Sequence, residues 1–555
     1  MDHPFATHDV INQSPPFENV NLFTADRALM DAVAREGGGS ATNRLTAFGA
    51  VCGSAEAFER GRLANENTPR LKPFDAKGHR LDVVEFHPAY HECMALSMAE
   101  GLHCSAWDHL VSADPKPSDG ANVARSAGCY MAIQMEAGHQ CPITMTNAAI
   151  PTLLLQPDIA ATWLPKILSR TYDKSFQPVS AKRAATIGMG MTEKQGGTDV
   201  RANTTKALPM NGGGPGGAYL VTGHKWFMSA PMCDAFLVLA QAPGGLSCFL
   251  MPRILPDGSV NALRLQRLKD KLGNRSNASS EVEFQGAHAW LIGEEGRGVP
   301  AIIEMVTGTR LDCAVGSAGL MRLVLANAIH HSRHRTVFQR KLVDQPLMQQ
   351  VLADMALDVE AATALAFRLC RSFDRVDDER AAAWRRLMTP VTKYWVCKMG
   401  PALAYEAMEC LGGNGYVEEG FAARVFRELP LNGIWEGSGN VMALDLLRVL
   451  QREPDTIEIV MEEFAAAAGR DKHIVPQLER VQALLHEPRL LDARARSLVE
   501  GLAKLAAGTI LRAHAPAYVA DAFIATRLGG GARHTYGQDL DGADVRAIIH
   551  RALPA

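Results

Sequence analysis

Eleven cysteines occur in this 555-residue chain, yet no two of them stand at Cys-x-x-Cys spacing. Their scatter excludes a clustered-cysteine metal or redox motif, and it reads as reduced thiols rather than a disulfide framework. Charge of one sign is missing as well. Fifty-seven Lys and Arg face 60 Asp and Glu, for a formal net charge of −3, so no global field draws the chain to nucleic acid or membrane. The opening MDHPFATHDVINQSPP lacks the basic-then-apolar order of a secretory signal. No apolar run approaches the ~18–20 residues of a membrane span. These absences predict a soluble, cytoplasmic protein with no membrane partner, and the length predicts three or four domains.

Hydrophobic periodicity divides the chain. Residues 1–185 read as helical after a proline-rich entry, with apolar residues at helical spacing in Asp26–Glu36, Ser54–Asn65 and Tyr90–Leu110 and a further segment at Leu153–Thr171. Residues 186–295 change to short alternating runs (Ala218–Thr222, Ala235–Gln241, Leu246–Met251, Ser280–Phe284) between turn residues, the pattern of an antiparallel β domain. The glycine tract Asn211–Gly217 joins two of these runs. It lacks the Lys-Ser/Thr of a phosphate-binding loop, so a hairpin tip is the reading. Residues 296–448 return to the helical period in Pro300–Arg335, Gln345–Val376, Asp378–Met399 and Pro401–Leu411, a bundle. Residues 449–555 add a helical tail: Thr456–Ala468, Pro476–Leu485, Leu491–Ala507 and Ala515–Arg527, followed by the glycine turn Gly529–Gly531. The fold class is therefore α+β.

Two segments carry chemistry. Met191-Thr192-Glu193-Lys194-Gln195-Gly196-Gly197-Thr198-Asp199 combines a hydroxyl, charges and paired glycines, which suits a loop wrapping a polar cofactor edge. Ile434-Trp435-Glu436-Gly437-Ser438-Gly439-Asn440 sets one carboxylate between bulky apolar residues and a Gly-Ser-Gly turn. Ser438 suits the N-cap of a helix Val441–Leu450, so Glu436 also reads as a solvated acid near that helix start. The turn is no nucleophile elbow, because Gly-x-Ser-x-Gly spacing is absent. His331 with His334, and His87 with His91, have ligand-like spacing but no third ligand. The former pair reads as surface helix, and no metal is expected.

In that order and at that separation, the two segments resemble the flavin loop and catalytic-base loop of the acyl-CoA dehydrogenase superfamily. The resemblance implies that family's fold, a helical domain, a middle β domain and a helical bundle, and an FAD cofactor. It implies a base for the α-proton at Glu436. Some members carry the base on the first helix after the β domain, but the matching position here is Thr309, which cannot serve; the neighbouring Arg310 is the implied substrate-binding residue. Cofactor contacts are implied at Met189, Met191, Thr192, Gly197, Thr198, Trp435, Ser438 and Asn440. They are also implied at Phe227, Met228 and Ser229 of the second flavin strand, where the family usually has Trp at the first place. Arg335 and Phe338, in Arg335-Thr336-Val337-Phe338, resemble the segment reaching a neighbouring subunit's flavin, with Gln339 where Gly is common. Gly412 and Gly413 match a cofactor-binding Gly-Gly, preceded by Glu409 in place of Gln.

The fuller strings around these motifs, with Pro142–Thr146 and Gly61–Asn65, resemble the AidB-like branch that belongs to the bacterial response to DNA alkylation. That branch implies a homotetramer, weak acyl-CoA dehydrogenase activity and double-stranded DNA binding through the C-terminal domain. From Gln451 onward 13 basic residues meet 14 acidic ones, while Arg489–Ala555 has 9 against 6. Arg489, Arg494, Arg496 and Lys504 could form a basic stripe for phosphates, or simply the solvated face of an amphipathic helix pair. The alternatives are a metabolic short- or branched-chain dehydrogenase using electron-transferring flavoprotein, and a DNA-coating protein whose flavin is structural.

Overall fold

The computed structural model describes residues 5–112, 116–530, 535–538 and 540–554; Gly531 of the expected glycine turn lies outside them. The first helices begin where side-chain caps permit. Asp26 accepts the Leu29 N–H ahead of Arg27–Arg35, and Ser54 accepts that of Ala57 ahead of Ala55–Glu66. The stretch read as one helix over Tyr90–Leu110 divides instead. Pro88–Ala99 ends before Gly101, whose φ of +78° interrupts it, and Ser105–Val111 resumes as a 3₁₀ turn. Two helices, Ala121–Met135 and Gln140–Leu154, are buried on nearly every side, which leaves no amphipathic stripe in their sequence. A small hairpin, Arg70–Phe74 with Arg80–Glu85, also lies in this region.

The middle region is a seven-stranded sheet. It is not wholly antiparallel: Ile187–Gly190 runs parallel to Ala235–Ala242, because the chain passes through the flavin-type loop and a hairpin before returning to pair. Ala235–Ala242 pairs with Gly245–Pro252, which also pairs with Ser279–Ile292, so the strand path curls back on itself. The glycine tract joins Lys206–Pro209 to Ala218–Ser229, which pair antiparallel.

Three long helices, Gly298–His334, Pro346–Asp374 and Glu379–Leu411, form the bundle. The last continues through Pro401, where a break was expected; burial of Val396, Leu403 and Ala404 on either side of it outweighs the lost hydrogen bond. Gly298–His334 is long and apolar enough to cross a membrane by composition, but 94% of its most apolar window is buried inside the protein. The C-terminal helices share the bundle's core and are pinned to Pro346–Asp374 by ion pairs. Arg527 meets Asp354 at 2.6 Å and Asp358 at 2.9 Å, and Arg551 meets Glu360 at 2.8 Å.

Candidate active site and cofactor surfaces

Glu436 sits in a tight turn with φ +58°, a left-handed conformation costing a non-glycine residue about 1–3 kcal/mol. Charged donors hold the turn. Arg310 Nε donates to the Glu436 carbonyl at 3.0 Å and Lys393 Nζ to that of Gly437 at 2.7 Å. Such bonds contribute about 1.5–3 kcal/mol each, enough together to offset the strain. The carboxylate itself receives one bond, from Thr309 Oγ1 at 2.9 Å. Burial raises the Glu436 pKa, and although Thr309, Arg310 and Lys393 oppose it, the carboxyl stays above its ordinary range. Thr309, unfit as a base, thus becomes the base's hydrogen-bond partner, a contact 127 residues apart in sequence. Arg310 is not free for substrate: its guanidinium is buried behind the loop, spent on the Glu436 carbonyl and on Asp445 at 2.7 Å.

Trp435 packs against the β-domain core, which brings the loop to the sheet; Met191 packs against the same core. The flavin-type loop is built around Glu193, fully buried and paired with equally buried Lys225 at 3.0 Å. Its carboxylate also accepts from Gln195, the backbone N–H of Thr204 and Thr205, and the Thr204 hydroxyl. The motif's acid is therefore a staple inside the loop, not a cofactor contact. A Cβ on Gly197 would lie 2.3 Å from Thr192 Oγ1, so glycine there lets the hydroxyl tuck across the loop. Met189 is buried, Met191 half-buried and Thr198 exposed. On the second strand Phe227 is exposed and Ser229 half-buried, whereas Met228 points to the opposite face and is fully buried. Only the Met228 backbone can meet a ligand on the Phe227 face, a correction to the expected triplet. Ser229 borders Cys141, whose thiol also feels the Glu436 charge, so the strand and the base loop face the same buried cysteine region.

Arg335 shares a separate cleft of about 310 Å³ with Gly412, Gly413, Glu409 and His331. Neither glycine has an atom within 4 Å of where a Cβ would be, so the backbone faces open space. The cleft lies beside the hairpin Thr336–Lys341, where Phe338 and Gln339 adopt φ of +51° and +62°. Gln339 thus keeps a left-handed turn without glycine. Glu409 is exposed, one helical turn after Tyr405, so solvent can screen its charge. His331, expected on a surface, is buried and bonded to Ser14 at 2.9 Å.

Three family models match the chain: the adaptive response protein AidB N-terminal domain over residues 12–174, the acyl-CoA dehydrogenase middle domain over 188–287 and its C-terminal domain over 296–451. The AidB protein of Escherichia coli is 47% identical over 95% of this chain and 96% of its own length. The chain belongs to the AidB branch of the acyl-CoA dehydrogenase superfamily. Acyl-CoA dehydrogenase family member 11 of Caenorhabditis elegans is 30% identical over 84% of this chain and 78% of its own. The crystal structure of Caenorhabditis elegans ACDH-11 in complex with C11-CoA superposes with a TM-score of 0.86 at 26% identity, covering 100% of this chain and 99% of that one.

In this AidB-branch chain the C-terminal basic residues do not form a free stripe. Arg494 pairs with Glu487 at 3.2 Å, Lys504 with Glu500 at 2.7 Å, and Arg496 Nε donates to Asn440 at 2.8 Å. Arg489 is exposed. Asn440, assigned to the cofactor, therefore already has a partner from the C-terminal region. Ser438 occupies the N-cap of Gly439–Arg452, but its hydroxyl makes no cap bond. One Cys–Glu–His group among the described residues, Cys93, Glu136 and His139, is close enough for a metal. Both Glu136 oxygens are already engaged by Asn65, Gly138, Ser276 and His139, which makes it a structural knot.

Proposed function

We propose that the protein is an FAD-dependent acyl-CoA dehydrogenase-type oxidoreductase in which Glu436 removes the α-proton of an acyl-CoA thioester. The observation that carries this reading is the half-buried Glu436 carboxyl, raised by burial, bonded by a single hydroxyl and held in a turn whose carbonyls, not its carboxylate, take the neighbouring cations. FAD, when bound, accepts the β-hydride. Phe227, Ser229 and the Met191–Thr198 loop would wall its ring, while the open backbone of Gly412 and Gly413 beside Arg335 fits a diphosphate. Lys393 and Arg310 fix the base loop, and Thr309 directs one carboxylate oxygen, leaving the other for the substrate. The C11-CoA complex of the worm relative supports an acyl-CoA ligand. Anaerobic titration with acyl-CoAs should bleach the bound flavin, and Glu436→Gln should slow that bleaching by roughly 10²–10⁴-fold. Absence of bleaching with every chain length would overturn the dehydrogenase reading.

The place of the chain in the alkylation response, with cytoplasmic location and duplex DNA as partner, rests on its AidB kinship. Eleven free, buried cysteines suit a reducing compartment. The homotetramer likewise rests on that kinship, and Phe338, 90% exposed at its hairpin tip, is the apolar side chain such a self-contact would cover. Since three of the four assigned basic residues already have partners, duplex binding would centre on Arg489 or require those pairs to open. Retention of duplex DNA at ~50 mM salt tests it; no retention there removes the partner.

A further inference from the structure

Three side chains, Lys271, Ser279 and Ser229, connect the loop after Leu263–Leu268 to the end of the strand Ala218–Ser229. Lys271 Nζ donates to Ser279 Oγ at 3.0 Å and to the Asn277 carbonyl at 2.6 Å. Ser279 Oγ lies 3.1 Å from Ser229 Oγ. An ammonium can only donate. With one lone pair of its oxygen accepting from Lys271, the Ser279 hydroxyl sits with its proton facing away from the cation and within reach of Ser229 at 3.1 Å, where either hydroxyl can donate. The cation at one end favours the direction Lys271 to Ser279 to Ser229, because each hydroxyl then turns its proton away from the charge. In that direction Ser229 is left with its own proton to give, on the side where it borders Cys141 and the field of Glu436. Charge-assisted strings of this kind strengthen along their length in a partly buried site.

We propose that Lys271 is a positioning residue which, through Ser279, holds the Ser229 hydroxyl as a donor toward the cofactor and so favours the cofactor's reduced, electron-rich form. This rests on the FAD reading above. Negative charge accumulates on the flavin after it takes the hydride, and a fixed donor with a cation behind it stabilises that state more than the oxidised one. Burial pushes the Lys271 amine down to about 8, with Cys141, Glu428 and Glu136 acting to hold its proton; near neutral pH the string keeps its charged end.

The test is the midpoint potential of the bound FAD in the full chain, measured by dye-equilibrated reduction in wild type, Lys271→Met, Lys271→Arg and Ser279→Ala, alongside FAD affinity. Lys271→Met and Ser279→Ala should each disfavour reduction by about tenfold, about 30 mV for a two-electron couple, while Lys271→Arg keeps most of the wild-type value. If Lys271→Met does not fold, Ser279→Ala, which removes only an oxygen, decides alone. A variant that binds FAD stoichiometrically with an unchanged potential overturns the role of Lys271. A wild-type chain that takes up no FAD overturns the cofactor reading beneath it.

Discussion

Two glutamates, Glu193 and Glu436, sit in the two diagnostic loops, and their surroundings are opposite. Glu193 is buried, yet hydrogen bonds from Gln195, Thr205 and Thr204 and the charge of Lys225 outweigh that burial and hold its carboxyl well below the ordinary range. Glu436 has one hydroxyl donor, and its cationic neighbours bind the loop's carbonyls rather than its carboxylate, so burial prevails. A carboxylate saturated with donors is a poor base, because a proton cannot compete for its lone pairs. One left with a single donor in a partly dry chamber gains basicity. The difference separates an acid that builds the site from an acid that works in it.

The strongest way to break this contrast is Glu436→Gln, which should lower the rate of flavin reduction by roughly 10²–10⁴-fold, the range of general-base contributions. The fold should persist. Because the folded-state pKa of Glu436 is raised, the native state holds this proton more tightly than the unfolded chain, and ionisation costs stability as pH rises past the unfolded value of about 4.3. Glu436→Gln should therefore melt higher than wild type at pH 7, with the gain vanishing near pH 4. A lower melting temperature at pH 7 would show that the carboxylate is structural after all.

Glu193→Ala should reverse that pattern. Leaving buried Lys225 uncompensated costs about 3–5 kcal/mol, read as a drop in unfolding free energy by urea titration, with FAD affinity falling as the loop loosens. The pH sign is also opposite: a depressed carboxyl contributes its stability above about pH 4.3, and that contribution is lost on acidification through its lower folded pKa. Wild-type stability in Glu193→Ala would break the comparison.

The legibility of these roles in sequence follows from how far apart their partners lie. Glu436 could be singled out because its contiguous loop resembles the family's base loop, although its local neighbours alone read equally as a solvated acid at a helix start, and most long helices could be bounded by period and punctuation. Glu193 carried no mark of being a staple, since Lys225 comes 32 residues later on another strand. The same distance effect hid Thr309 behind Glu436 and diverted Arg310 from substrate to scaffold. Helices such as Ala121–Met135 were illegible for a different reason: buried all round, they show no face. The parallel pairing of Ile187–Gly190 with Ala235–Ala242 leaves no trace in alternation, which is the same for either strand direction.

A finer test of the contrast is Thr309→Val, which removes the one donor to Glu436 while keeping side-chain shape. With that bond gone, burial acts unopposed by it and the Glu436 pKa rises further. The acid limb of the rate profile for flavin reduction should therefore move to higher pH, with the plateau rate at alkaline pH nearly kept. A limb that stays in place would mean that Thr309 does not tune the base.

The smallest effects belong to the C-terminal basic residues. Exposed pairs such as Arg494–Glu487 and Lys504–Glu500 contribute about 0–1 kcal/mol, so Arg494→Ala and Lys504→Ala should leave both the melting temperature and flavin bleaching close to wild type. Arg496→Ala differs in kind, because it releases Asn440 at the start of the helix that follows the base loop. It should loosen FAD by a small factor, seen as faster cofactor loss on dilution, without moving the acid limb set by Glu436. If instead all three substitutions leave FAD retention intact and equally weaken duplex DNA retention at low salt, these arginines and this lysine serve the nucleic acid. Their pairings would then be the resting state of a surface that opens on binding.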